Sequence, residues 1–207
     1  YVLERHIVND DKGKPAGSFL SIRDNTEEQI ELRREQYTAR HDELTHLYSK
    51  SYLYEEIRSR LENEPDTDFY LLYVDVSDFK LINDIFGHAF GDRVLCQIAD
   101  WIREEFAEYA VYGRIGGDTF GVLLPWDRLE NGRIESVLSN FVVSDGTVSH
   151  MVVIHIGVYE IAERELDVSV MVDRARMAQT TIKNDYHNHI AYYDEEMREK
   201  SIWNQHI

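Results

Sequence analysis

Two aspartates stand where this chain changes direction. Asp75 comes near the end of the apolar run "DFYLLYVDV" (68–76), and Asp118 follows Gly116 and Gly117 in "VYGRIGGDTFGVLLP" (111–125). The first stretch has the length and continuity of a buried central strand. The second reads as a tight hairpin whose glycine pair supplies the positive φ angles of a short turn. If that strand pairs beside the hairpin, both carboxylates meet at one edge of a sheet. Such a pair calls for a cation, and magnesium takes one or two carboxylates and completes its shell with substrate phosphates and water. A plainer reading stays open beside it: Asp75 caps a helix starting near Ser77, and Asp118 fills a turn.

The segment between them, "DVSDFKLINDIFGHAFGD", adds Lys80, Asn83 and Asp92 on or just after a short helix. Lysine offers phosphate a point charge. A carboxylate such as Asp92 can accept from both the ring N–H and the exocyclic amine of guanine, an edge that adenine lacks, and the Asn83 amide can donate and accept. The alternatives are a helix end at Asn83-Asp84 and a helix cap at Gly91-Asp92. The formal charge of −17 over 207 residues argues against nucleic acid and anionic membrane surfaces as partners, so a phosphate-bearing ligand must be small. The single Cys96 excludes an internal disulfide, which fits a cytoplasmic setting. With 43% hydrophobic residues the chain can build a core, yet no stretch approaches membrane-spanning length.

Flanking elements must position these side chains. Leu53, Ile57 and Leu61 recur every four residues in a helix ended by Pro65. A longer helix opens at Gly91-Asp92, with Val94, Leu95, Ile98, Ile102 and Phe106 on one face. A helix falls near 130–140, two strands flank Asp145-Gly146, "DVSVMVDRARMAQTTIK" is helical, and "HIAYYD" is a short strand. The pattern predicts an α+β fold with helices flanking one mostly antiparallel sheet. Upstream, residues 1–24 read as two strands around Asp11-Lys12-Gly13-Lys14-Pro15. Residues 25–40 read as a helix, either a signalling element or a solvated connector, with Ile30, Tyr37 and Leu44 seven apart. His187 and His189 lack partners for a zinc set and read as surface histidines. Cys96 reads as a core cysteine, and Trp101, Trp126 and Trp203 as packing residues.

"DVSDFKLINDIFGHAFGDRVL" followed by "GRIGGDTF" resembles the diguanylate cyclase (GGDEF) family, which condenses two GTP molecules into cyclic di-GMP. The resemblance runs from "HDELTHLYS" at residue 41 to "IAYYD" at 194, within a domain bounded as 41–195. It implies a palm-like, ferredoxin-related core, with magnesium (manganese as the alternative ion) held by Asp75, Asp118 and the backbone carbonyl of Val76. It implies phosphate contacts from Lys80 and Lys183, guanine readout by Asn83 and Asp92, and close approach of phosphates to Gly116 and Gly117.

The departures bear on function. Thr119 stands where the family has its catalytic glutamate; threonine is neither a base near neutral pH nor a charged metal ligand, and losing general-base help typically costs about 10²–10⁴ in rate. Ser77 replaces an acid, and His187 replaces a phosphate-binding arginine. The family's inhibitory product site, Arg-x-x-Asp, reads Ala107-Glu108-Tyr109-Ala110 here. Residues 1–24 resemble the end of a PAS sensor domain, and 196–207 resemble the linker into an EAL phosphodiesterase domain. The leading expectation is a GTP- and magnesium-binding domain that regulates a neighbour, with turnover weak or lost, and dimeric through the full-length protein. The alternatives are an active cyclase and a dimerisation module that binds no nucleotide.

Overall fold

The structure, a computed structural model, describes residues 2–106, 109–129 and 131–197. It divides into two compact units, 1–39 and 40–207. In the first, β1 (Val2–Asn9) and β2 (Pro15–Arg23) form an antiparallel hairpin. The Asp10 carboxylate closes its turn by accepting from the amides of Lys12 and Lys14 at 2.9 and 2.8 Å. Helix α1 (Thr26–Arg40) follows and buries none of its residues. Because α1 ends at Arg40, Leu44 is not on the helix with Ile30 and Tyr37. It packs instead on the core of the second unit, so the seven-residue recurrence does not run along one helix face.

The second unit contains α2 (Lys50–Asn63), β3 (Phe69–Val76), α3 (Phe79–Phe86), α4 (His88–Phe106), β4 (Val111–Gly116), β5 (Thr119–Pro125) and α5 (Asn131–Leu138). After these come β6 (Val142–Ser144), β7 (Ser149–Met151), β8 (Ile154–Glu160), α6 (Val168–Ile182) and β9 (Ile190–Tyr192). Five strands make one sheet in the order β4-β5-β3-β8-β9, antiparallel except for the β8–β9 edge pair. This is the expected α+β arrangement of a central sheet flanked by helices.

Strand β3 is central, and its side chains alternate between two cores as a pleated strand requires. Leu72, Val74 and Val76 join the α4 side with Val94, Leu95, Ile98 and Ile102. Phe69, Leu71 and Tyr73 join the side covered by α2 and α6, through Leu53, Ile57, Leu61 and Met171. Each such apolar side chain contributes about 1.5–3 kcal/mol on burial, so the strand carrying Asp75 is among the best-anchored parts of the molecule. Asp75 follows Tyr73 onto the α6 side.

Several expectations need correction. Only β6 and β7 flank Asp145-Gly146, and they form a separate two-stranded ribbon. Ile154–Glu160 is a further strand, pairing with β3, because the Val152-Val153 step carries the apolar run from ribbon to sheet. Helix α4 begins at His88, not Gly91, since Gly87 at φ 86° has already ended α3. Trp126 is 57% exposed, on a short 3₁₀ turn, and is not a packing residue. Trp101 does pack, edge-on to Phe106 and Phe141, whereas Trp203 lies outside the described residues. The Cys96 thiol lies 3.6 Å from the Leu44 carbonyl, and burial raises its pKa. No helix among the described residues is long and apolar enough to cross a membrane.

Candidate functional site

Pairing of β3 with β5 sets Asp75 directly opposite Thr119. Asp118 is therefore one residue away, at the hairpin tip, and the two carboxylates act on one another. Burial, chiefly, and the charge of Asp118 push the Asp75 pKa up to about 6, against an opposing pull from Lys183. One Asp75 oxygen accepts from the Gln179 side-chain amide on α6 at 3.0 Å. Gly117, at φ 55°, makes the turn that a side chain would strain. The Thr119 hydroxyl donates to the Gly116 carbonyl at 2.7 Å, so it is committed to the turn itself. Thr119 also hydrogen-bonds the Tyr73 phenol, whose pKa burial raises most strongly.

The hairpin turn has a second brace. The Arg114 guanidinium donates to the Gly117 carbonyl at 2.6 Å through Nη2 and at 3.1 Å through Nε. Its Nη1 bonds the Asp42 carboxylate at 3.0 Å. Asp42 in turn accepts from the Thr45 amide and hydroxyl, both at 2.8 Å. Thus the segment entering the second unit is fastened to the tip that carries Asp118.

On the other side, the chain leaves β3 through Ser77 and Asp78, the latter at φ 54°, a left-handed conformation that aspartate tolerates better than most residues. Asp78, not Asp75, is the residue before α3, and it makes no side-chain cap. Helix α3 carries Lys80, exposed, and Asn83, half-buried; Asp92 sits exposed near the start of α4. α3 and α4 close together at Gly91, where a Cβ would fall 2.0 Å from Asn83 Oδ1. That oxygen is buried and has no hydrogen-bond partner among the described residues. A buried acceptor left unpaired costs about 1–3 kcal/mol.

Lys183 follows α6, and its charge reaches Asp75. His187 is exposed on the following loop, and its backbone N–H donates to the Asp185 carboxylate at 2.9 Å. His189 departs from the surface reading: it is 6% exposed and its Nδ1 bonds the Ile154 carbonyl at 3.0 Å. Of the inhibitory-site positions, Ala107 and Glu108 lie outside the described residues; Tyr109 and Ala110 offer no arginine or aspartate. Gln179, Tyr73, Asp42 and Arg114 were not singled out by sequence reasoning. Arg114 precedes the glycine pair by two residues, and that placement was the one available signal.

Among the described residues no three His, Cys, Asp or Glu side chains gather as a metal-holding group. The donor chemistry nevertheless fits magnesium: two neighbouring carboxylates, one raised to about 6 chiefly by burial and further by the other's charge, suit a cation that nucleotide phosphates help to coordinate.

The family described as diguanylate cyclase, GGDEF domain, matches residues 39–189. The chain is 31% identical over 190 residues to the Escherichia coli (strain K12) protein named "Probable diguanylate cyclase DgcE", covering 88% of this chain and 17% of that protein. It is 37% identical over 133 residues to diguanylate cyclase TpbB of Pseudomonas aeruginosa, covering 59% of this chain and 31% of the relative. The crystal structure of diguanylate cyclase SiaD with its activator SiaC, from P. aeruginosa, superposes with a TM-score of 0.66 at 30% identity, over 81% of this chain and 66% of that one. The chain belongs to the GGDEF diguanylate cyclase family of cyclic di-GMP signalling. It spans less than a third of either curated relative described here.

Proposed function

We propose that this domain binds GTP with magnesium at the edge where β3, the β4–β5 turn, α3 and α6 meet, and that it regulates a neighbouring domain with little or no cyclase turnover. The observation that carries the reading is the juxtaposition of Asp75 and Asp118 beside a threonine whose hydroxyl is tied to the turn. Asp75, Asp118 and the Val76 carbonyl would hold magnesium, which supplies charge neutralisation for the phosphates. The Asn83 amide and the Asp92 carboxylate read the guanine edge. Lys80, Lys183 and His187 face the phosphates, His187 less strongly than an arginine would.

No side chain at position 119 takes a proton from a ribose 3′-hydroxyl, and so the deprotonation that begins condensation lacks its base. Residues 1–24 as the end of a PAS domain, 25–40 as a signalling helix, 41–195 as the regulatory domain and 196–207 as a linker toward an EAL domain make a sensor-to-output chain. Such a chain works as a dimer in the cytoplasm. SiaD's capture with a protein activator supports a regulatory partner as a further input. Full cyclase activity is the second reading, favoured by the names of the relatives. Titration of GTP with and without magnesium, with ATP as control, tests the binding claim: guanine-selective, magnesium-dependent saturation supports it, and equal or absent binding rejects it.

A further inference from the structure

His155 is fully buried, at 0% exposure, on β8. Its register partner on β3 is Asp75. Its Nδ1 lies 2.7 Å from the Ser77 hydroxyl, itself 7% exposed, immediately after the strand that carries Asp75 and Val76. Its Nε2 lies 2.8 Å from the backbone carbonyl of Asp185. A carbonyl only accepts, so Nε2 carries the proton, and the bare Nδ1 accepts from Ser77 O–H. Burial lowers the His155 pKa and keeps the ring neutral in this tautomer. One side chain thereby bridges the end of the metal strand and the loop 183–189, which holds Lys183 and His187.

The rest of that loop folds on the same point. The Asp185 carboxylate accepts from the amides of His187 at 2.9 Å and Asn188 at 3.2 Å. His189 stacks on His155 with ring centroids 6.0 Å apart. Lys183 and His187 themselves are exposed. Lys183 caps the end of α6, two residues before Asp185, and the placement of His187 depends on where Asp185 is held.

We infer that His155 is a positioning residue for nucleotide binding: through Ser77 and the Asp185 carbonyl it locks the loop carrying Lys183 and His187 against the carboxylate end of β3. The substitution of an acid by Ser77 is then half of a device in which a neutral hydroxyl–imidazole pair joins two sides of the site. The inference rests on the GTP-binding reading for its consequence, and on the two hydrogen bonds alone for the tie.

Two isosteric variants separate the two bonds. His155→Gln places an amide nitrogen near the position of Nε2 and retains the bond to Asp185. His155→Asn places its amide near Nδ1, keeps contact with Ser77 and releases the loop. Amide hydrogen exchange over residues 184–190 should speed up at least tenfold in His155→Asn and stay within threefold of wild type in His155→Gln. GTP affinity should fall about tenfold in His155→Asn while GMP affinity changes less than twofold, because only the outer phosphates lose partners. Should His155→Asn not fold, Ser77→Ala removes the other anchor and should accelerate the same amides about threefold. Unchanged exchange in the folded variants overturns the tie. Faster exchange with unchanged GTP affinity overturns the positioning role. If wild type binds no GTP, the exchange result still decides the tie, and the GTP-binding reading fails separately.

Discussion

Asp75 faces Thr119 across the β3–β5 ladder, and Asp118 immediately precedes Thr119 on the turn. Two acids that would hold a cation in the proposed reading thus lie beside a hydroxyl bonded to its own turn. The proposed reading, binding without proton abstraction, turns on these adjacent positions.

Burial of Asp75 beside Asp118 should make stability and magnesium-GTP binding respond to pH in opposite directions. Unfolded Asp75 titrates near 3.8 and folded Asp75 near 6, so the fold favours the protonated carboxyl. The stabilising contribution is complete below about pH 4 and disappears as pH rises through about 6. Without divalent cation, Tm should fall between pH 4 and 6.5 more in wild type than in Asp75→Asn. Magnesium-GTP, which needs the ionised acid, should bind about tenfold more weakly for each pH unit below 6. Calorimetric scans and titrations across that range check both.

Gly91→Ala places a methyl 2.0 Å from Asn83 Oδ1, which must then move. The expected result is loss of guanine selectivity, with GTP affinity down at least 30-fold, and a stability loss of about 1–3 kcal/mol from overpacking. Parallel titration with GTP and ATP, together with urea unfolding, measures the two effects.

Arg114→Ala removes the donor that joins Asp42 to the Gly117 carbonyl. Because the ion pair is largely buried, at 15% and 25% side-chain exposure, its loss should destabilise the second unit by about 2–4 kcal/mol. The hairpin tip should loosen with it. Urea midpoints, and exchange of the Gly117 and Asp118 amides, are the readouts.

Thr119→Glu restores a carboxylate opposite Asp75. Cyclic di-GMP formation should rise by about 10²–10⁴ over wild type if the missing base is the main defect. A flat response would move the defect to Ser77 or His187, and chromatographic product assays on dimeric protein distinguish the cases.

Strand β3, the four-residue stripe of α2 and the glycine turn were legible because each is a local pattern: apolar continuity, helical spacing, a pair of residues that tolerate positive φ. The divided path through residues 142–160 was not, since one apolar run serves a ribbon and then a sheet, and only pairing partners separate them. Asp75 and Asp118 were readable as acids, but their mutual effect depends on a register that sequence does not carry. The Asp42–Arg114 brace spans 72 residues, and the His155 bridge joins residues 78 and 30 positions away. His189 was misjudged because a polar side chain near a strand edge looks exposed until the carbonyl that holds it is known.

The most direct measurement incubates the purified protein with labelled GTP and magnesium, and quantifies bound nucleotide and cyclic di-GMP in the same sample. Stoichiometric, magnesium-dependent GTP retention without product is the predicted result. Sustained conversion to cyclic di-GMP, or no retained GTP at all, would contradict it.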